Sequence, residues 1–154
     1  MSAETITTAL FLITAVIAAG VLINAVYPVV YNMAGTFSSA THESDVRMRT
    51  DFKVIAAAGS GTTVNIWMKN IGTERILEGS IENGDVFFGE SGDFDRIPYG
   101  TWSYDVADSP DNGVWDQGET LKISISTSVT SGNEYYFQYS LPNGVWRSYT
   151  FTAS

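Results

Sequence analysis

In one stretch, DSPDNGVWDQGE, acidic and amide side chains fall at the spacing of a hard-cation loop. Asp108, Asn112, Gly113, Asp116 and Glu119 match positions one, five, six, nine and twelve of a twelve-residue calcium loop, whose oxygens would wrap a divalent ion. Position three is Pro110, which has no side-chain oxygen, and a strand follows instead of a helix. The expectation is therefore an acidic hairpin loop. A surface module taking calcium or a glycan stays as an alternative, because Glu82 to Glu119 carries many acids against the single Arg96.

Other chemistry is sparser. The 154 residues include no Cys and one His, which removes cysteine nucleophiles, disulfides and multi-histidine metal sites. His42 stands in the polar run THES, and no GxSxG, HExxH or P-loop spacing occurs. Two carboxylates meeting in space could serve glycoside hydrolysis. Several of them flank turn glycines, however, and no motif fixes a nucleophile, base and stabiliser together. The chain is expected to be non-enzymatic, without cofactor, metal or small-molecule substrate. With 8 basic against 17 acidic residues and a net charge of −9, it repels phosphate backbones, so no nucleic-acid partner is expected.

The elements that must position these residues fall into two kinds. Between Glu4 and Glu43 there is no Asp, Glu, Lys or Arg, and most of that gap is apolar. Thr5 to Tyr27 as a helix would measure about 35 Å, enough to cross a hydrocarbon core of about 30 Å. The run is too long, and its leader MSAET too free of basic residues, for a cleaved secretory signal. Residues 1–34 are thus expected to form a retained membrane or assembly helix, with Pro28 kinking it. Thr14, Ala15, Ala18 and Ala19 make a small-residue band where another helix can approach, and Asn24 can bond across that seam. Arg47, Arg49 and Lys53 lie too far along to set the membrane orientation by charge.

Residues 35–45 read as a polar connector, and 46–154 as a β-sandwich with immunoglobulin-like packing. Period two dominates there. Val64, Ile66 and Met68 face one way, as do Leu121, Ile123 and Ile125, and Tyr135, Phe137, Tyr139 and Leu141. Further strands are expected at 48–57, 75–80, 85–90, 102–106 and 145–152, giving seven or eight in all, with no helix. Glu134 to Leu141, placed at an edge, would template pairing with another chain.

These segments carry a family resemblance. The opening from Glu4 to Val54, then IWMKNIGTERI, DVFFGE, WDQGETLKISI and the ending LPNGVWRSYTFTAS, resemble the G component of the archaellum, the FlaG or ArlG family of archaeal flagellar accessory proteins. Its more specific positions are Trp115, Gly118, Glu119, Pro142, Asn143, Gly144, Trp146 and Arg147. The resemblance implies one membrane helix, a sandwich in the pseudo-periplasm, and a stator role. Implied partners are like copies and the related F component, and through it the S-layer. It implies no active site. The helix also resembles those of archaellins and type IV pilins, so a filament subunit is the runner-up. Precursors of that class carry a basic leader that MSAET lacks, so either the chain is unprocessed or the leader is already absent from the numbered sequence, and Met1 favours the former.

Overall fold

The structure, a computed structural model, describes residues 2–107 and 112–154. The chain divides into two compact units, residues 1–43 and 44–154. Helix α1 (Ser2–Arg49) supplies the whole of the first and leads into the second.

Within the first unit the helix has no buried residue. Its apolar side chains, Phe11, Ile17, Leu22 and Tyr31 among them, are all exposed. The polar ones are spent on the helix itself. Thr7, Thr8 and Thr14 each donate to the carbonyl four residues back, and Asn24 Nδ2 donates to the Gly20 carbonyl at 3.0 Å. Such back-bonding removes the cost of a hydroxyl in an apolar setting. The helix runs through Pro28.

Residues 35–45, expected as a connector, are helical. Thr36, Ser39 and Thr41 satisfy their hydroxyls on the carbonyls of Asn32, Gly35 and Phe37, and no proline interrupts the run. A helix already nucleated upstream extends through such a stretch at small cost per residue.

The second unit is the immunoglobulin-like sandwich. Its strands are β1 (Phe52–Ser60), β2 (Thr63–Asn70), β3 (Ile76–Leu77), β4 (Asp85–Glu90), β5 (Asp93–Ile97), β6 (Trp102–Ala107), β7 (Val114–Trp115), β8 (Thr120–Ser126), β9 (Glu134–Ser140) and β10 (Trp146–Thr152). One sheet has the order β1-β2-β8-β6, the other β10-β9-β4-β5, and β3 pairs with β7 in a small third sheet. All pairings are antiparallel.

The alternating residues meet in the core as expected. Val64, Ile66, Met68, Leu121, Ile123, Ile125, Phe137 and Tyr139 are fully buried, with Phe52 and Trp115 among them. Each such side chain contributes about 1.5–3 kcal/mol of transfer free energy. The aromatic members pack at angles, Phe52 lying 5.8 Å from Trp115 and 5.7 Å from Tyr139 between ring centroids.

Four local expectations are corrected. Met48 and Arg49 belong to the helix, so the first strand begins at Phe52. The strand expected over 75–80 shrinks to β3, and a short helix α2 (Glu78–Glu82) follows it. Two strands, β5 and the two-residue β7, were not read from the sequence, and ten are present among the described residues. Finally, β9 lies inside its sheet between β10 and β4, so its backbone is already paired on both sides. The edges of the two larger sheets are β1, β6, β10 and β5.

Candidate functional site at the helix exit

Between Arg49 and Phe52 the chain changes from helix to strand in two residues, and four backbone carbonyl bonds secure that change. The Arg49 carbonyl accepts the amides of Thr73 and Glu74 at 3.0 and 3.2 Å. The Asp51 carbonyl accepts those of Ile71 and Gly72 at 3.0 and 2.8 Å. A Cβ at Gly72 would overlap the Arg49 carbonyl and the Asp51 amide, so only glycine allows this approach.

The loop supplying these amides is pinned by Asn70, which is fully buried. Its Nδ2 donates to the carbonyls of Glu74 (3.0 Å) and Trp115 (2.9 Å), and its Oδ1 accepts the Gly72 amide at 3.0 Å. Its own backbone amide donates to the Glu119 carbonyl, and its carbonyl accepts the Gly118 amide at 2.8 Å. A buried amide so fully paired is stabilising, whereas the same group with lost partners would be costly.

Here the WDQGE segment finds its role. Trp115 Nε1 donates to the Glu119 carbonyl at 3.0 Å, and Gly118 takes φ +89°, a left-handed conformation the tight turn requires. Glu119 accepts the Asp116 amide on Oε2 at 2.7 Å. Asp116 receives Arg75 through two nitrogens, at 2.6 and 3.2 Å, and Asn112 Nδ2 at 3.0 Å. The hydrogen bond from Arg75, then that from Asn112, holds the Asp116 carboxyl below its ordinary range, and Asp116 correspondingly raises Arg75. Asp116 and Glu119, the ligands of the alternative calcium-loop reading, are therefore committed to this internal network. Asp108, Pro110 and Asp111 lie outside the described residues. Among the described residues no group of three His, Asp or Glu side chains stands together in a way that could hold a metal ion.

The C-terminal motif closes the other side. In the β9–β10 turn, Asn143 Oδ1 accepts the Val145 amide at 3.1 Å, Pro142 precedes it, and Gly144 sits at φ +79°. Asn143 Nδ2 reaches the hydroxyl of Thr50 at 3.0 Å, and that hydroxyl donates to the Val46 carbonyl at 2.8 Å in the last helical turn. Arg147 Nη2 bonds Asp51 at 2.5 Å, while Trp146 stands half exposed beside it. The motif segments around residues 115–119 and 142–147 thus converge on residues 49–52. Asn70, Gly72, Thr50 and Asp51, which join them, lie within the segments that carry the resemblance but are not singled out by residue type.

The helix candidates are placed differently. Thr14, Ala15, Ala18, Ala19 and Asn24 are exposed in the first unit. Thr14 donates to the Leu10 carbonyl at 2.8 Å and Asn24 to Gly20, which leaves the Asn24 carbonyl oxygen for a neighbour.

Among the described residues the polar side chains of the helix exit are spent on one another and on backbone. Together they fasten the end of a helix into a β-domain. The comparisons agree in kind. The model of archaeal-type flagellins matches residues 2–151. The chain belongs to that family. It is similar to the archaellum periplasmic stator protein FlaG from Sulfolobus acidocaldarius, at 27% identity and TM-score 0.56, over 66% of this chain and 99% of that one. It is also similar to a chain of the archaellum periplasmic stator complex of FlaF and FlaG from the same organism, at 25% identity and TM-score 0.55, over 65% and 87% of the two chains. The archaeal flagellum of Methanospirillum hungatei shares the fold over 92% of this chain and 91% of its own, at 16% identity and TM-score 0.58. This family member is a structural component of the archaellum with a FlaG-like sandwich, and not an enzyme.

Proposed function

We propose that the protein is a membrane-anchored stator component of the archaellum. Its helix would sit in the cytoplasmic membrane and its sandwich in the pseudo-periplasm, bound to like copies and to an F-type partner that reaches the S-layer. The observation that carries this reading is the first unit itself. Its long apolar stretch has no buried residue, so lipid or other helices must cover it. The sandwich's likeness to FlaG, whose complex with FlaF is known, supports the choice of partner. The small-residue band of Ala15, Ala18 and Ala19 gives like helices a place to meet.

The exit clasp suits such a role. Within the second unit, load on the last helical turn would pass into the sheets through the carbonyls of Arg49 and Asp51 and through the Thr50–Asn143 bond. Coexpression of the chain with an F-type protein, followed by membrane isolation and alkaline carbonate wash, tests the proposal. Retention of the chain in the pellet and recovery of the F-type partner with it are expected. Release into the wash as single soluble chains would reject the anchor.

A second reading, a filament subunit, is favoured by the flagellin family model and by the fold shared with an archaellum filament over nearly the whole chain. The mature N-terminus separates the two, since cleavage just ahead of the apolar run would mark a filament subunit.

A further inference from the structure

Lys53 and Lys69 stand directly opposite each other in the β1–β2 register, both exposed. Like charges so placed repel, and the domain tolerates the pair without an acid between them. Among the described residues neither lysine has a carboxylate partner. Beside Lys53 the edge strands β1 and β10 leave a groove of about 330 Å³, lined by Lys53, Ile71, Tyr149 and the Arg147–Asp51 ion pair, with neighbouring residues of β1 and β10. Ile71 is 48% exposed and Tyr149 39%. In a chain of net charge −9, with Arg147 held by Asp51, the unmatched charge at this groove is that of Lys53 and its neighbour Lys69.

A feature of opposite character lies at the opposite edge of the β10-β9-β4-β5 sheet. The β4–β5 hairpin turns at Ser91 and Gly92, and β5 is an edge strand with Asp93, Phe94 and Asp95 exposed. Neither aspartate has a cationic partner among the described residues. Phe94 is 42% exposed and packs on Tyr136 at 4.4 Å between ring centroids. The registers set the separation. Tyr149 pairs with Phe137, Phe137 with Phe88 and Phe88 with Asp95, so the two features lie on opposite edges of one four-stranded sheet.

We infer that the β1–β10 groove of one copy receives the β5 edge of a second copy, Asp93 and Asp95 meeting Lys53 and Lys69 while Phe94 covers Ile71 and Tyr149. The two surfaces are complementary in charge, and each pairs an apolar group with its charges. They occupy opposite edges of one sheet, so the contact is heterologous and repeats from copy to copy, which builds a linear array. This deepens the assembly reading proposed above and rests on it.

The test uses the full chain in detergent, with light scattering and electron microscopy to find the concentration at which arrays form. Raising the salt from 50 to 500 mM is expected to raise that concentration, which helix packing inside the micelle would not do. Lys53→Glu/Lys69→Glu and Asp93→Lys/Asp95→Lys are each expected to raise it about tenfold or more. Mixing the two variants is expected to restore assembly, because each supplies the surface the other now matches. That restoration also shows both variants to be folded. Arrays of either variant at the wild-type concentration, or a mixture that stays dispersed, would overturn this interface while leaving self-assembly intact. A wild-type chain that forms no array at any concentration would remove self-assembly itself, and this interface with it.

Discussion

At Asn70 a side-chain amide with no exposure ties its own loop to Trp115, 45 residues away. Its donors reach Glu74 and Trp115, and its acceptor takes Gly72, whose neighbourhood leaves no room for a side chain. Replacing Asn70 by Ala strands two carbonyls in a closed pocket, at about 1–3 kcal/mol each before relaxation. Urea unfolding of the full chain in detergent, followed by tryptophan fluorescence, is expected to show a loss of about 3 kcal/mol. A loss below about 0.5 kcal/mol would mean that water replaces the amide. By contrast, the ion pairs Arg49–Asp45 and Arg49–Glu74 are half exposed and worth under about 1 kcal/mol each. The buried amide, and not the visible charges, secures the helix exit.

Among elements, residues 35–45 are helical and satisfy their hydroxyls on their own backbone, so the helicity of this segment can be tested by itself. Ser39→Pro removes one backbone donor and sets its ring against the Gly35 carbonyl, at about 3 kcal/mol of local helix stability. Hydrogen exchange is expected to quicken over residues 36–43, with protection in the β-strands unchanged. Equal exchange before and after the substitution would restore the connector. In the second unit, the position of β9 between β10 and β4 removes it as a template for another chain and transfers that capacity to the true edges. On the outer face of β4, Gly89 has Tyr136 and Phe94 as its two cross-strand partners, and their rings meet beside it, compensating for its missing side chain.

For the whole molecule, association is expected to draw on both units by different physics, helix packing in lipid and charged edges in water. Ala15→Leu/Ala19→Leu is expected to reduce oligomer size in detergent while leaving the unfolding midpoint of the sandwich unchanged, because those residues touch no part of its core. Unchanged oligomer size would show the small-residue band to be idle. The sequence alone determined the two-part organisation, since a charge-free run from Thr5 to His42 and strict alternation at Val64, Ile66 and Met68 are local patterns that only a long exposed helix and half-buried strands satisfy. It also marked Trp115, Gly118, Asn143 and Arg147 as family-like, without saying what they touch. Only the tertiary structure decided that these residues close on Thr50, Asp51 and Asn70, that β9 is interior, and that Lys53 faces Lys69. Side-chain partners across tens of residues and strand order are set by the pairing of sheets and the closing of loops, and one chain's residue types carry no record of which distant groups will meet.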